Sequence, residues 1–172
     1  RTGDGPFTAS TSTWRGGATL NGAPTARINL FTNTKKDWII SPLTNVNVSA
    51  RVKFKAAITA YNVLTPHTNG MQTTDDKVEV MISTDACGTA WTPLFTFNAA
   101  NTTTLTNVLT DFEVPIPVQY VGQNVRIGFK ASDGPLDDGP DYDFHIANVT
   151  IEPQPTCADT FGVVSANITK NS

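Results

Sequence analysis

The stretch that most constrains this chain is Asp76 to Leu94, DKVEVMISTDACGTAWTPL, in which an alternating strand runs straight into a tight turn closed by a tryptophan. The period-2 pattern sets Val78, Val80 and Ile82 on one face and Lys77, Glu79 and Met81 on the other, the mark of a half-buried strand. Asp85 accepts hydrogen bonds from backbone N–H groups of its own loop, Gly88 supplies a positive φ, and Trp91 covers the reversal before Thr92-Pro93-Leu94 starts the next strand. Such a turn is a structural clasp. It has no nucleophile, base or metal set of its own, so Asp85 is read as a turn-capping aspartate.

The same alternation recurs along the chain. Ala50–Tyr61 points Val52, Phe54, Ala56, Ile58 and Ala60 inward and Arg51, Lys53, Lys55, Thr59 and Tyr61 outward. Asp111–Val118 sets Phe112, Val114, Ile116 and Val118 inward, with Pro115 and Pro117 among the outward positions; prolines donate no ladder hydrogen bond, so this strand belongs at a sheet edge. Asn124–Ala131 and Phe144–Ile151 are further strands, and the apolar segment Asp37–Leu43 is a buried strand stopped by Pro42. Residues 1–25 read as short strands and loops in which Trp14 packs. Thr, Asn, Gly and Pro are abundant and Glu occurs only at 79, 113 and 152, a composition that favours strands and turns. Segments like these share a core only as stacked antiparallel sheets, so the expectation is an all-β, antiparallel β-sandwich of jelly-roll type.

At 172 residues the chain holds one domain, expected over 1–152, and a remainder at 153–172 that opens with the stiff linker Pro153-Gln154-Pro155. A net charge of −3 gives no electrostatic reason to bind nucleic acid, and no apolar run approaches the roughly 20 residues that would insert in a membrane. The start at Arg1 suggests an excised mature segment. Cys87 and Cys157 permit one disulfide in an oxidising compartment, and the spacing does not show whether they meet; His67 and His145 lack the spacing of zinc ligands.

With the strands placed, four motifs resemble the cleaved-adhesin or choice-of-anchor J modules, MAM-related jelly rolls of secreted Bacteroidetes-type proteins. Asp37-Trp38-Ile39-Ile40-Ser41-Pro42 looks like the family's D-x-W-L-I-S-P opening, and Asp76 to Trp91 resembles its D-x-hydrophobic-V-x-x-S-T-D-x-G-x-x-W, with one extra residue at Ala86-Cys87-Gly88. Phe112 to Lys130 is similar to its edge strand and G-x-N-V-x-I-x-F, and Phe144 to Ile151 to its closing W-x-I-D-D-V-x-I, although Ala147-Asn148 stand where two acids are common. Cys157 to Ser172 resembles the start of a fibronectin type III-like repeat. The resemblance implies a non-catalytic accessory module of a multidomain protein that is secreted or at the cell surface, binding glycans or host or matrix proteins, and in some members calcium.

The residues support the same expectation. G-x-S-x-G and H-E-x-x-H are absent, and the best carboxylate pair for glycoside hydrolysis, Glu79 with an aspartate, is better explained by a strand glutamate pairing with a neighbouring Lys or Arg. The chain is therefore expected not to be an enzyme. For carbohydrate binding, the outward residues Arg51, Lys53, Lys55, Thr59, Tyr61, Arg126 and Lys130, with Glu79 between, would form one polar face if their strands are neighbours. The ligand set is then Tyr61, Arg126, Lys130, Lys55 and Glu79, with Tyr61 as stacking platform. Asp133, Asp137, Asp138, Asp141 and Asp143 put five carboxylates in eleven Gly/Pro-bent residues, which suits a structural calcium ion, with help from Asp75, Asp76 or Asp4. The competing expectations are a protein-binding adhesin and a spacer between a catalytic domain and a surface anchor.

Overall fold

The computed structural model describes residues 13–31, 36–67, 71, 75–137 and 139–155. Ten strands form it: β1 (Arg15–Leu20), β2 (Ala23–Leu30), β3 (Lys36–Ile40), β4 (Thr44–Val46), β5 (Ala50–Ala60), β6 (Lys77–Ser83), β7 (Thr92–Phe97), β8 (Thr110–Pro115), β9 (Gln123–Ser132) and β10 (Tyr142–Pro153). They pair antiparallel into two sheets, ordered β1-β2-β10-β5-β8 and β3-β9-β6-β7, with β4 also on β9. Apart from the β1–β2 and β6–β7 hairpins and the β3–β4 step, each connection crosses from one sheet to the other, which gives the jelly-roll sandwich the alternating segments predict.

The inward positions interdigitate as an aromatic core. Phe54 of β5 meets Phe129 of β9 at 5.1 Å and Phe97 of β7 at 6.1 Å between ring centroids, while Phe97 reaches Phe144 of β10 at 5.1 Å. The two Phe54 contacts are edge-to-face, and such contacts add to the area the rings bury. The proline-bearing strand β8 lies at a sheet edge, paired only with β5.

The clasp also forms. Asp85 accepts from Cys87 N at 2.9 Å and Thr89 N at 2.8 Å and from the Thr89 hydroxyl, Gly88 has φ +61°, and Trp91 Nε1 donates to Gly88 O at 2.8 Å. The Thr89 and Cys87 hydrogen bonds hold the Asp85 carboxyl down at about 2. Asp37, directly before Trp38, is buried: it takes the Thr13 N–H and hydroxyl and its own neighbour's N–H, so it ties the entering chain to β3. Trp14 is buried, as its reading as a packing residue requires.

Three strand-face expectations are corrected. Val118 is 79% exposed, because Pro117 starts a 3-10 turn (Val118–Tyr120) that takes it off the strand. Met81, expected outward to solvent, is buried: the Trp38 and Trp91 rings, 5.1 Å apart, pack over Gly128, the residue opposite it. Thr59 does lie on the outer face, yet it is buried with His145 of β10, so this end of the outer face has a sealed layer of its own.

Candidate functional site

The two sheets divide the expected ligand set. Lys55 lies on β5 in the first sheet, whereas Glu79, Arg126 and Lys130 lie on β6 and β9 in the second, so their outward side chains occupy opposite faces of the sandwich. The single polar face of the sequence reading does not exist. It assumed that β5 neighbours β6 and β9, whereas the chain changes sheets between β5 and β6.

Each half is moreover answered by its neighbours. On the first sheet Lys55 pairs with Asp111 at 2.7 Å, and Arg51 with Glu113 at 2.8 Å. Lys53 lies 3.9 Å from Glu152. On the second sheet Lys130 Nζ sits 5.6 Å over the Trp38 ring and 3.5 Å from Glu79, and Arg126 donates to Ser41 O at 3.1 Å. Glu79 therefore does what a strand glutamate ordinarily does. Its carboxylate faces a lysine on the adjacent strand.

Tyr61 stands apart from both halves. It follows β5 at the turn, is 49% exposed, and lines a cleft of about 250 Å³ with Thr13, Arg15, Arg27, Asn29, Phe31, Asn62 and Asp143. The strand register explains the grouping. Asp143 of β10 faces Asn29 of β2 on one side and Thr59 of β5 on the other, and Arg27 of β2 faces Arg15 of β1, so these polar side chains share the outer face of the first sheet. Arg27 Nη1 donates to Asp143 Oδ2 at 2.6 Å, and the same oxygen accepts from Asn62 N at 3.1 Å, which pins the turn bearing Tyr61 to the sheet. Phe31 adds a second aromatic, 38% exposed.

Behind the cleft His145, fully buried, lies between Thr25 Oγ1 (3.1 Å from Nδ1) and Thr59 Oγ1 (3.0 Å from Nε2). Burial pushes its pKa down to about 4; Asp143 opposes the shift and Arg27 adds to it. At neutral pH it is an uncharged hydrogen-bonding strut. A second hollow, of about 270 Å³ and lined by Ile39, Ile40, Pro42, Ile127, Phe129, Ile146 and Val149, offers among the described residues one polar side chain, Ser41.

The sequence reading missed Arg15, Arg27, Asn29, Phe31 and Asn62. A signal existed in β2, where Arg27, Asn29 and Phe31 alternate with the buried Ile28 and Leu30.

The expected calcium ligands are scattered by comparison. Asp133 is buried just after β9, Asp137 and Asp141 are exposed, and Asp138 and Asp4 lie outside the described residues. Asp143 faces Arg27 instead of the acidic loop, because its strand position turns it to the outer face of the first sheet. Asp75 does reach that loop: its Oδ2 accepts from Leu136 N at 2.9 Å, and its carboxylate fills the space a side chain at Gly134 would need. Among the described residues no three His, Cys, Asp or Glu side chains gather closely enough to hold an ion by themselves. Cys87 is exposed, and its prospective partner Cys157 lies outside the described residues.

Fold and face together define an antiparallel jelly-roll sandwich with an aromatic-rimmed polar cleft on one sheet. The chain is similar in structure to the K3 cleaved adhesin domain of Lys-gingipain from Porphyromonas gingivalis, at a TM-score of 0.50 and 12% identity over 78% of this chain and 76% of that chain. It is similar also to the K1 cleaved adhesin domain of the same protein, at 0.49 and 12% over 77% and 75%. At such identity the likeness is one of fold, and the fold is the one the cleaved-adhesin resemblance implies. No family model and no curated protein matches the sequence. Among the described residues no helix is long and apolar enough to cross a membrane.

Proposed function

We propose that the Tyr61 cleft binds carbohydrate and that the chain is a non-catalytic binding module of a larger secreted or surface protein. The observation that carries this reading is the juxtaposition of exposed Tyr61 and Phe31 with the guanidinium and amide groups of Arg15, Arg27, Asn29 and Asn62 around one shallow cleft. An aromatic face takes the apolar side of a sugar ring while fixed donors and acceptors meet its hydroxyls. At about 250 Å³ the cleft suits a short stretch of chain laid across the sheet better than a ligand swallowed whole. Among the described residues around it the one carboxylate, Asp143, is held by Arg27.

Titration calorimetry against an oligosaccharide panel tests the reading. Tyr61→Ala, at an exposed turn position, leaves the melting temperature nearly unchanged and weakens any glycan bound by tenfold or more. Glycan affinity untouched by Tyr61→Ala, or silence across the panel, removes the cleft from consideration. We propose separately that the acidic 133–143 loop takes a structural calcium ion through Asp133 with Asp137, Asp138 or Asp141 and backbone carbonyls. This draws support from Asp75, whose Oδ2 accepts from Leu136 N within that loop.

A further inference from the structure

We infer that the cleft selects an acidic sugar, a residue carrying a carboxylate or sulfate that seats against Arg15 and Arg27. The inference rests on the reading of the cleft as a glycan site and adds the charge of its ligand.

Arg15 and Arg27 are directly opposed across the β1–β2 ladder. Like charges in that arrangement destabilise a sheet unless something answers them. Arg27 is answered: Asp143 accepts from it at 2.6 Å, and Asn62 Oδ1 lies 3.3 Å from its other terminal nitrogen. Among the described residues Arg15 has no such counterpart, and it stands exposed on the cleft wall. Elsewhere on the two faces Arg51, Lys55 and Lys130 each meet a carboxylate. Among the described residues the cleft thus holds two guanidinium groups and one carboxylate, a local excess of one positive charge in a chain whose net charge is −3.

What sits beside that charge identifies the ligand. A bare anion needs only cations, and an acidic peptide laid along the edge strand β1 would bond through its backbone and needs no aromatic platform. Here the free guanidinium shares the cleft with Tyr61 and Phe31, so the same ligand presents a ring-sized apolar face and an anionic group. A uronate or sulfated sugar has both. The planar guanidinium fork matches a carboxylate or sulfate through two hydrogen bonds, which makes Arg15 the residue that sets the preference.

The test measures affinity by calorimetry at low salt for uronate oligosaccharides, sulfated galacto-oligosaccharides, their methyl-esterified or desulfated counterparts, and polyglutamate. The expected result is acidic sugars bound about tenfold or more tightly than matched neutral ones. The carboxylate and sulfate arms show which anion is preferred. Arg15→Gln abolishes that preference by weakening acidic sugars far more than neutral ones, Arg15→Lys keeps part of it, and Tyr61→Ala weakens acidic and neutral sugars alike. Equal binding of acidic and neutral sugars, or a preference that survives Arg15→Gln, overturns the inference, and Tyr61-dependent binding then leaves the glycan site standing. Polyglutamate bound as tightly as the acidic sugars, without dependence on Tyr61, makes the cleft a peptide site and overturns both. Silence toward every probe does the same.

Discussion

Lowering the pH from 7.5 to 5 should remove about 2 kcal/mol of stability through His145 alone. Its imidazole is fully buried and its pKa is lowered from 6.5 to about 4, with burial the main cause. In the unfolded chain the ring protonates near 6.5, so between pH 6.5 and 4 the unfolded state binds the extra proton. Stability is complete above that window and falls as pH drops through it. A shift of this size corresponds to about 3 kcal/mol when fully expressed and about 2 kcal/mol at pH 5. The hydrogen bonds fit the neutral form. With the Thr25 hydroxyl directed to Ala18 O at 3.4 Å, Nδ1–H donates to Thr25 and Nε2 accepts from Thr59, so a second proton forces the Thr59 hydroxyl to turn round. The assay is urea unfolding at both pH values for the native chain and for His145→Gln, which keeps a donor and an acceptor but does not titrate. The variant should be less stable at pH 7.5, and its deficit should shrink by about 2 kcal/mol at pH 5. Asp85, held at about 2, titrates below this window and does not confuse it. If the two proteins lose stability in parallel, or if the His145 ring titrates near 6.5 by NMR, His145 is not the source of the loss.

Phe54→Ala empties the junction of Phe97, Phe112 and Phe129 and should cost about 3–5 kcal/mol by urea unfolding. Gly128→Ala would place a methyl 3.1 Å from Trp91 and 3.3 Å from Trp38, so it should destabilise by about 1–3 kcal/mol and alter the near-ultraviolet dichroism of the tryptophans. Calcium in the 133–143 loop should raise the melting temperature, and excess chelator should reverse the gain; a midpoint that moves with neither removes the ion.

The strands were legible because their period-2 pattern depends on burial on one side, which each segment records for itself. The clasp was legible for a similar reason: Asp85, Gly88 and Trp91 close a local loop, and local geometry is written in local sequence. Sheet membership was not. Lys55 and Lys130 alternate alike in sequence, and only the crossover between β5 and β6 separates them by the thickness of the sandwich. The cleft failed to show for a related reason, since Arg15, Arg27, Tyr61 and Asp143 come from distant segments joined by the β1-β2-β10-β5 order. Tyr61 alone could be singled out, as an aromatic on an outward position. His145 and Thr59 mark a further limit, because a polar residue on an outer face reads as solvated, and nothing local says that it is sealed beneath a second polar layer.

The route of the chain through the first sheet has a mechanical consequence. Thr13 enters at the cleft, tied to Asp37 and just before β1, while Gln154 leaves at the far end of β5, bonded to Ser49 and Ala50. Those points are separated by the length of an eleven-residue strand, roughly 36 Å. β1 and β10 run in the same direction on either side of β2, so tension between residues 13 and 154 pulls them in opposite senses along the strand axis. Inter-strand hydrogen bonds lie across that axis, and the ladder is loaded in shear, many bonds at once, instead of being unzipped one by one. A ligand gripped at the cleft would be held at the end where the chain enters, with the whole sheet in series behind it.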